Sequence, residues 1–286
     1  MGRYLISWYF SLALTALIPG DVASFGPIKK STSHQANDRI EDIIERYAVI
    51  ERPVVNPDST QGTIYLIGQE HFYAGFNEQG LIKDTTKQID SERTAIIQNT
   101  LFQLLYNLSN EGLKVVVGEG LDSRELLWNT DLKGFSPQDY SYHQKMMGDP
   151  NFSLEFFRAN PKEPAYTALK FLFPERIRLY GADDQDIKQI GKKILQEMFA
   201  VAQEYLSLPI TPYKLHAYEM AVAPINAKYA AHNDRRSQLH LQRAISLTNS
   251  SQQDVAIVIG ARHIPTMRES YQGNRRMYIL TPKVTQ

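Results

Sequence analysis

Five short apolar runs punctuate the chain, and between them the apolar positions recur at helical spacing. Residues 63–67 (Thr-Ile-Tyr-Leu-Ile) are β-branched or aromatic, uncharged and followed by Gly68, which predicts a buried strand. Residues 114–117, 177–180, 255–259 and 276–280 are likewise read as strands. A long helix is expected over 84–108, with Ile97, Leu101, Leu104, Leu105 and Leu108 on one face and Asn110 and Gly112 to stop it. After the third strand a helix buries Ile187, Ile190, Ile194, Met198 and Tyr205; helical sequence resumes at Tyr213 and reaches Leu247 with a break near Asn233, and a short helix starts near Pro265.

Upstream, residues 26–35 read as a polar linker, and Asn37 or Asp38 can cap a helix with Ile40, Ile43, Ile44, Tyr47 and Ile50 on one face. Strands alternating with helices predict an α/β fold, a mostly parallel sheet with helices on both faces. Residues 121–174, aromatic and broken by Gly134, Pro137, Gly148, Pro150, Pro161 and Pro164, are expected to form an irregular helical lid inserted between the second and third strands.

The 286 residues allow one large domain or two small ones, and 43% apolar with 22% charged residues excludes wholesale disorder and a multi-pass membrane protein. Lys+Arg and Asp+Glu are each 31, without a basic patch, so no nucleic-acid partner is expected. The absence of cysteine removes disulfides, thiolate metal sites, iron–sulfur clusters, cysteine nucleophiles and lipoprotein anchoring. Any metal must then sit on His, Asp and Glu. Arg3, the apolar run 4–18, Pro19, Gly20 and the small residues near Ser24 read as a signal peptide over 1–24, which predicts an exported protein, periplasmic or secreted. An uncleaved run 4–18 would instead anchor it to the membrane, the one membrane contact expected. Residues 25–57 follow as linker and helix, and 58–286 as the α/β domain.

Chemistry collects at the strand ends. They read Gly68-Gln69-Glu70-His71, Gly118-Glu119-Gly120, Gly181-Ala182-Asp183-Asp184 and Gly260-Ala261-Arg262-His263. In an open parallel sheet such ends line one crevice, where α/β proteins hold ligands. A glycine there permits φ > 0 or close approach of a ligand. His71, Glu119 and His263, with Glu70 and Asp183 as further acids, suit Mn, Fe, Co or Zn, which would make a nucleophile of bound water. The same groups could also act without metal as a His/Glu general-base pair. One of Asp183 and Asp184 is expected to cap the following helix. Arg262 either faces a developing oxyanion or points outward.

The paired G-x-x-H elements, with Glu119 between them, resemble the superfamily that joins erythromycin esterases, ChaN-type haem-binding lipoproteins and the TraB and Tiki proteins. Val117-Gly118-Glu119-Gly120 and Tyr180-Gly181-Ala182-Asp183 are similar to the esterase branch, whereas residues 255–267 look more like TraB. The resemblance runs from about Thr63 to Leu280. It implies an α/β core with a cleft of His71, Glu119 and His263, Glu70 as a second acid, and hydrolysis of an ester or amide bond in a small-molecule or peptide substrate. Tiki-like members are regarded as metal-dependent, esterase-like members use His and Glu, and ChaN-like members bind haem. In the TraB and Tiki branch an Arg precedes an acid or amide late in the helical region. Here the order is His232-Asn233-Asp234-Arg235-Arg236, so a helix cap at Asn233 or Asp234 is expected rather than a role for Arg235.

Two rival readings remain. Tyr140, Tyr142, His143, Met146 and Met147 cluster in the insertion, and Tyr, His and Met are haem ligands, so an envelope haem- or iron-binding protein is one alternative. A TraB-like, non-catalytic binder of a peptide signal is the other. His34, His216 and His240 follow no pattern and read as ordinary.

Overall fold

A strand such as Val255–Gly260, apolar or glycine throughout, has no polar face to offer water and must be buried on both sides. The computed structural model, which describes residues 33–51, 62–69, 91–122, 125, 137–160, 163–205, 211–249, 253–273 and 275–284, places it between two other strands of a six-stranded sheet. In chain order the elements are α1 (Ser33–Tyr47), β1 (Ala48–Ile50), β2 (Ile64–Gln69), α2 (Ser91–Asn110), β3 (Val115–Asp122), α3 (Pro137–Met146), α4 (Pro150–Ala159), α5 (Ala165–Leu172), β4 (Arg178–Asp183), α6 (Gln185–Tyr205), α7 (Pro212–Asn249), β5 (Val255–Gly260), a 3-10 turn (Ala261–His263), α8 (Ile264–Ser270) and β6 (Met277–Pro282).

The strand order is β1-β6-β2-β5-β3-β4, parallel except for β1 against β6. The fold is therefore α/β with a mostly parallel sheet. From β2 the chain passes beyond β5 to reach β3, and from β5 it passes beyond β2 to reach β6, in the opposite direction. Right-handed crossovers then put helices on opposite faces. Tyr65, Ile67, Val116, Leu179 and Val258 pack with Leu101, Leu104, Leu105 and Leu108 of α2 on one face. Ile64, Leu66, Val117, Ile257 and Ile259 pack with Leu241 and Ala244 of α7 and with Ile264 and Met267 of α8 on the other.

The structure departs from the sequence pattern in four places. The first helix begins within the expected linker and stops at Tyr47, and Ile50 belongs to β1, an edge strand of three residues too short to show alternation. The insertion expected over 121–174 is helical, forming α3, α4 and α5 among its described residues, but these helices are not a lid: Met147, Phe157, Tyr166, Leu169 and Leu172 are buried in the core against α2 and the sheet. α7 runs unbroken through Asn233, because Asn and Asp inside a helix cost well under about 1 kcal/mol in propensity and no second breaker sits beside them.

Finally, the strand-end glycines owe little to positive φ, which among the described glycines occurs at Gly112 and Gly120 alone. Gly118 is required by packing: a Cβ there would lie 2.6 Å from the Tyr166 ring.

At 38 residues α7 is about 57 Å long, against roughly 20 Å for a six-residue strand. Only its C-terminal third lies over the sheet. The rest pairs with α6, with Lys228 Nζ 2.8 Å from Glu197 Oε2 across the hairpin. Among the described residues no helix is long and apolar enough to cross a membrane; the proposed signal segment lies outside them.

Candidate functional site

Parallel strands deliver their C-terminal ends to one edge, and the side chains there come from far apart in sequence. Glu119 stands within β3, Asp183 ends β4, and His263 closes the turn after β5. Arg236, Ser237 and His240 reach the same place from α7, where Arg236 and His240, four residues apart, share a helix face.

Arg236 joins the two carboxylates. Its Nε donates to Asp183 Oδ1 at 2.6 Å and its Nη2 to Asp183 Oδ2 at 2.8 Å. The same Nη2 lies 2.9 Å from Glu119 Oε1. Asp183 also accepts from His240 Nε2 at 2.8 Å and from the Gly120 amide at 2.9 Å. Burial alone would raise this carboxyl, but the hydrogen bonds from His240 and Arg236 outweigh it and hold Asp183 well below the usual carboxylate range. Glu119 is fixed by its second oxygen, which accepts the Gly260 amide at 2.7 Å, while Tyr166 Oη donates to its backbone carbonyl at 2.6 Å.

Ser237 sets the state of His263. The Ser237 hydroxyl donates to the Asn233 carbonyl at 2.7 Å, so its oxygen is the acceptor for His263 Nδ1–H, also at 2.7 Å. The lone pair therefore resides on Nε2. That atom is buried, lies 3.4 Å from Glu119 Oε1 and has no hydrogen-bond partner among the described residues. Burial draws the imidazole below its ordinary value, against the opposing pull of Glu119. The lone pair and the carboxylate oxygen are both acceptors and, at 3.4 Å, stand too close for a water between them, so a water or a substrate hydroxyl that donates to either must lie beside the pair. As metal ligands the fit is incomplete. Nε2 and Oε1 are two donor atoms, Oε1 is already paired with a guanidinium, and no group of three His, Asp or Glu among the described residues could hold an ion.

Of the residues expected from sequence, the structure brings Glu119, Asp183 and His263 together, while Glu70 and His71 lie outside the described residues. Asp184, not Asp183, caps α6, its Oδ1 accepting the Asp186 amide at 2.8 Å. Arg262 is exposed, with its guanidinium 5.7 Å from the centre of the Tyr229 ring; the cation that faces the acids is Arg236. In the aromatic cluster, Tyr142 is 55% exposed and His143 packs edge-on against Phe152 and Phe156. The Tyr140 side chain is outside those described.

Sequence reasoning missed Arg236, Ser237 and His240. Their signal was the spacing Arg-Ser-x-x-His, which turns one face of α7 to the sheet edge once the helix is known to be unbroken. No family model, no curated protein and no solved structure matches the chain.

Proposed function

We propose that this is an exported hydrolase cleaving an ester or amide bond, with His263 as general base and Glu119, Asp183 and Arg236 as its electrostatic frame. The observation that carries the reading is the buried Nε2 of His263, without a hydrogen-bond partner among the described residues and facing Glu119 Oε1. In this mechanism a water beside the pair donates one hydrogen to Nε2 and the other to Oε1, and its oxygen attacks the carbonyl carbon as Nε2 takes the proton. The low basicity that burial imposes keeps the imidazole neutral and ready near neutral pH. Arg236 uses Nε and Nη2 on the carboxylates, which leaves Nη1 to face the developing oxyanion, the part expected of Arg262. His263 then returns its proton to the leaving group.

The resemblance of the strand-end motifs to the esterase branch supports the same reaction class, and Glu70 and His71 would complete the cleft from β2. Replacing His263 by Ala should lower turnover of the best substrate in a panel of aryl esters and peptide amides at least a hundredfold with circular dichroism unchanged. Full activity in that variant would overturn the reading. A haem absorbance band lost on replacing Tyr140, Tyr142 or His143 would favour the binding protein instead.

A further inference from the structure

The helices α1, α2 and α4 enclose a cleft of about 450 Å³, none of whose lining residues belongs to the strand-end site. That volume is within the range of sites that hold small molecules. From α2 a single stripe, Glu92, Ile96, Thr100 and Gln103, faces it, each residue about one helical turn beyond the last. Arg46 and Tyr47 line it from the end of α1, and Leu154 and Arg158 from α4.

Two of the polar side chains on this stripe are more than nine-tenths buried and keep one oxygen unmatched. Thr100 is 9% exposed. A helical Thr hydroxyl commonly donates to the carbonyl four residues back, as Thr248 does to Ala244 at 3.1 Å, yet the Thr100 hydroxyl forms no hydrogen bond among the described residues. Gln103 is 1% exposed and spends its amide nitrogen on the Met147 carbonyl at 3.0 Å and the Ser153 hydroxyl at 2.8 Å, which leaves Oε1 with nothing to accept from. Neither oxygen is sealed from solvent, and both residues line the cleft, so both oxygens open into it. Its floor therefore offers a donor and an acceptor side by side. At the rim the Arg46 guanidinium has no partner among the described residues, whereas Arg158 is spent on Glu92, with Nε 2.9 Å from Oε2. Tyr47, Ile96 and Leu154 supply apolar surface.

A carboxylate on this floor would set its lone pairs against Gln103 Oε1, and an ammonium would enter a cleft lined by two guanidinium groups and one carboxylate. A hydroxyl suits both oxygens, accepting from Thr100 and donating to Gln103. We infer that the cleft binds a neutral carbohydrate, a mono- or disaccharide by its volume. One hydroxyl of the sugar bridges Thr100 and Gln103, others accept from Arg46 and donate to Glu92, and the C–H face of the ring lies on Tyr47 and Leu154. The inference stands apart from the hydrolase reading, since it uses none of Glu119, Asp183, Arg236 and His263.

The test is a thermal-shift screen of the full chain against common neutral monosaccharides and disaccharides, followed by NMR titration of the best one, with acetate and ethylamine as comparison compounds. Saturable binding of a sugar is expected, with acetate and ethylamine at least tenfold weaker. Thr100→Val keeps the shape and removes the hydroxyl, and should weaken the sugar roughly five- to tenfold. Thr100→Ser, which keeps the hydroxyl, should bind it nearly as the native chain does. Arg46→Met, at an exposed position where folding is not at stake, should weaken it several-fold. His263→Ala should bind it undiminished, which separates this cleft from the strand ends. Binding of no sugar in the panel, acetate or ethylamine binding as tightly as the best sugar, undiminished binding to Thr100→Val or to Arg46→Met, or loss of binding in His263→Ala would each overturn the inference.

Discussion

Replacing Arg236 by Met removes a cation that bridges two buried acids. The side chains of Asp183 and Glu119 are 0% and 7% exposed, and after the substitution each keeps some support: His240 and the Gly120 amide for Asp183, the Gly260 amide for Glu119. Removing one partner of a buried ion pair costs roughly 3–5 kcal/mol, and the remaining donors place this site in that range rather than above it. The pH dependence gives the sharper test.

In the native protein the folded Asp183 carboxyl is depressed below its ordinary 3.8, so its stabilising contribution is complete above that value and is lost only as pH falls towards the folded value. Between pH 5 and 7.5 it is constant. Without Arg236, burial is opposed by His240 and the Gly120 amide alone, and the expected outcome is a folded carboxyl raised above the unfolded one. The folded state then binds more protons, and stability falls as pH rises. Urea unfolding at both pH values and fixed salt should therefore show a larger loss for Arg236→Met at pH 7.5 than at pH 5. A loss below about 1 kcal/mol at pH 7.5, or equal losses at both, would refute the reasoning.

Gly118→Ala puts a methyl group 2.6 Å from the Tyr166 ring and should cost about 1–3 kcal/mol in urea unfolding, with Tyr166→Leu relieving most of it. Ser237→Ala leaves the His263 Nδ1 proton without its acceptor; turnover should fall by roughly tenfold or more, and the ring nitrogen shifts of His263 should report a changed tautomer. Glu163, raised by burial from 4.5 to about 7, is protonated in the folded state over a range where the unfolded chain has ionised it. Native stability should accordingly fall from pH 4.5 to pH 7, and Glu163→Gln should abolish up to about 3 kcal/mol of that fall in urea titrations.

The five parallel strands were legible because each has a short apolar run at its centre, and the acids and His at their ends stood out against that background. β1 was not, since three residues cannot display a period. The role of α3, α4 and α5 was obscured by their prolines: Pro150 at the first position of α4 and Pro164 just ahead of α5 mark helix starts, not irregular chain. Asp183 could be separated from Asp184 only in three dimensions, because either carboxylate suits a cap. Arg236 and His240 were hidden for a related reason. Their partners lie 53 and 57 residues away, and nothing local distinguishes a helical Arg that reaches a buried acid from one that reaches water.

The place of β5 in the sheet has a consequence for how the chain comes to be folded. β5 separates β2 from β3 yet is made of residues 255–260, near the end of the sequence. During synthesis some 250 residues emerge before the strand that joins the two halves of the sheet exists. Until then β2 and β3 present open edges to each other across a slot one strand wide, a template for pairing with foreign strands. The Gly260 amide that fixes Glu119 arrives with the same strand, spanning 141 residues, so the ordered site is among the last parts of the molecule to form. A chain truncated before β5 would lose the sheet's continuity and the site in one step, even with Glu119, Asp183, Arg236 and His240 all present.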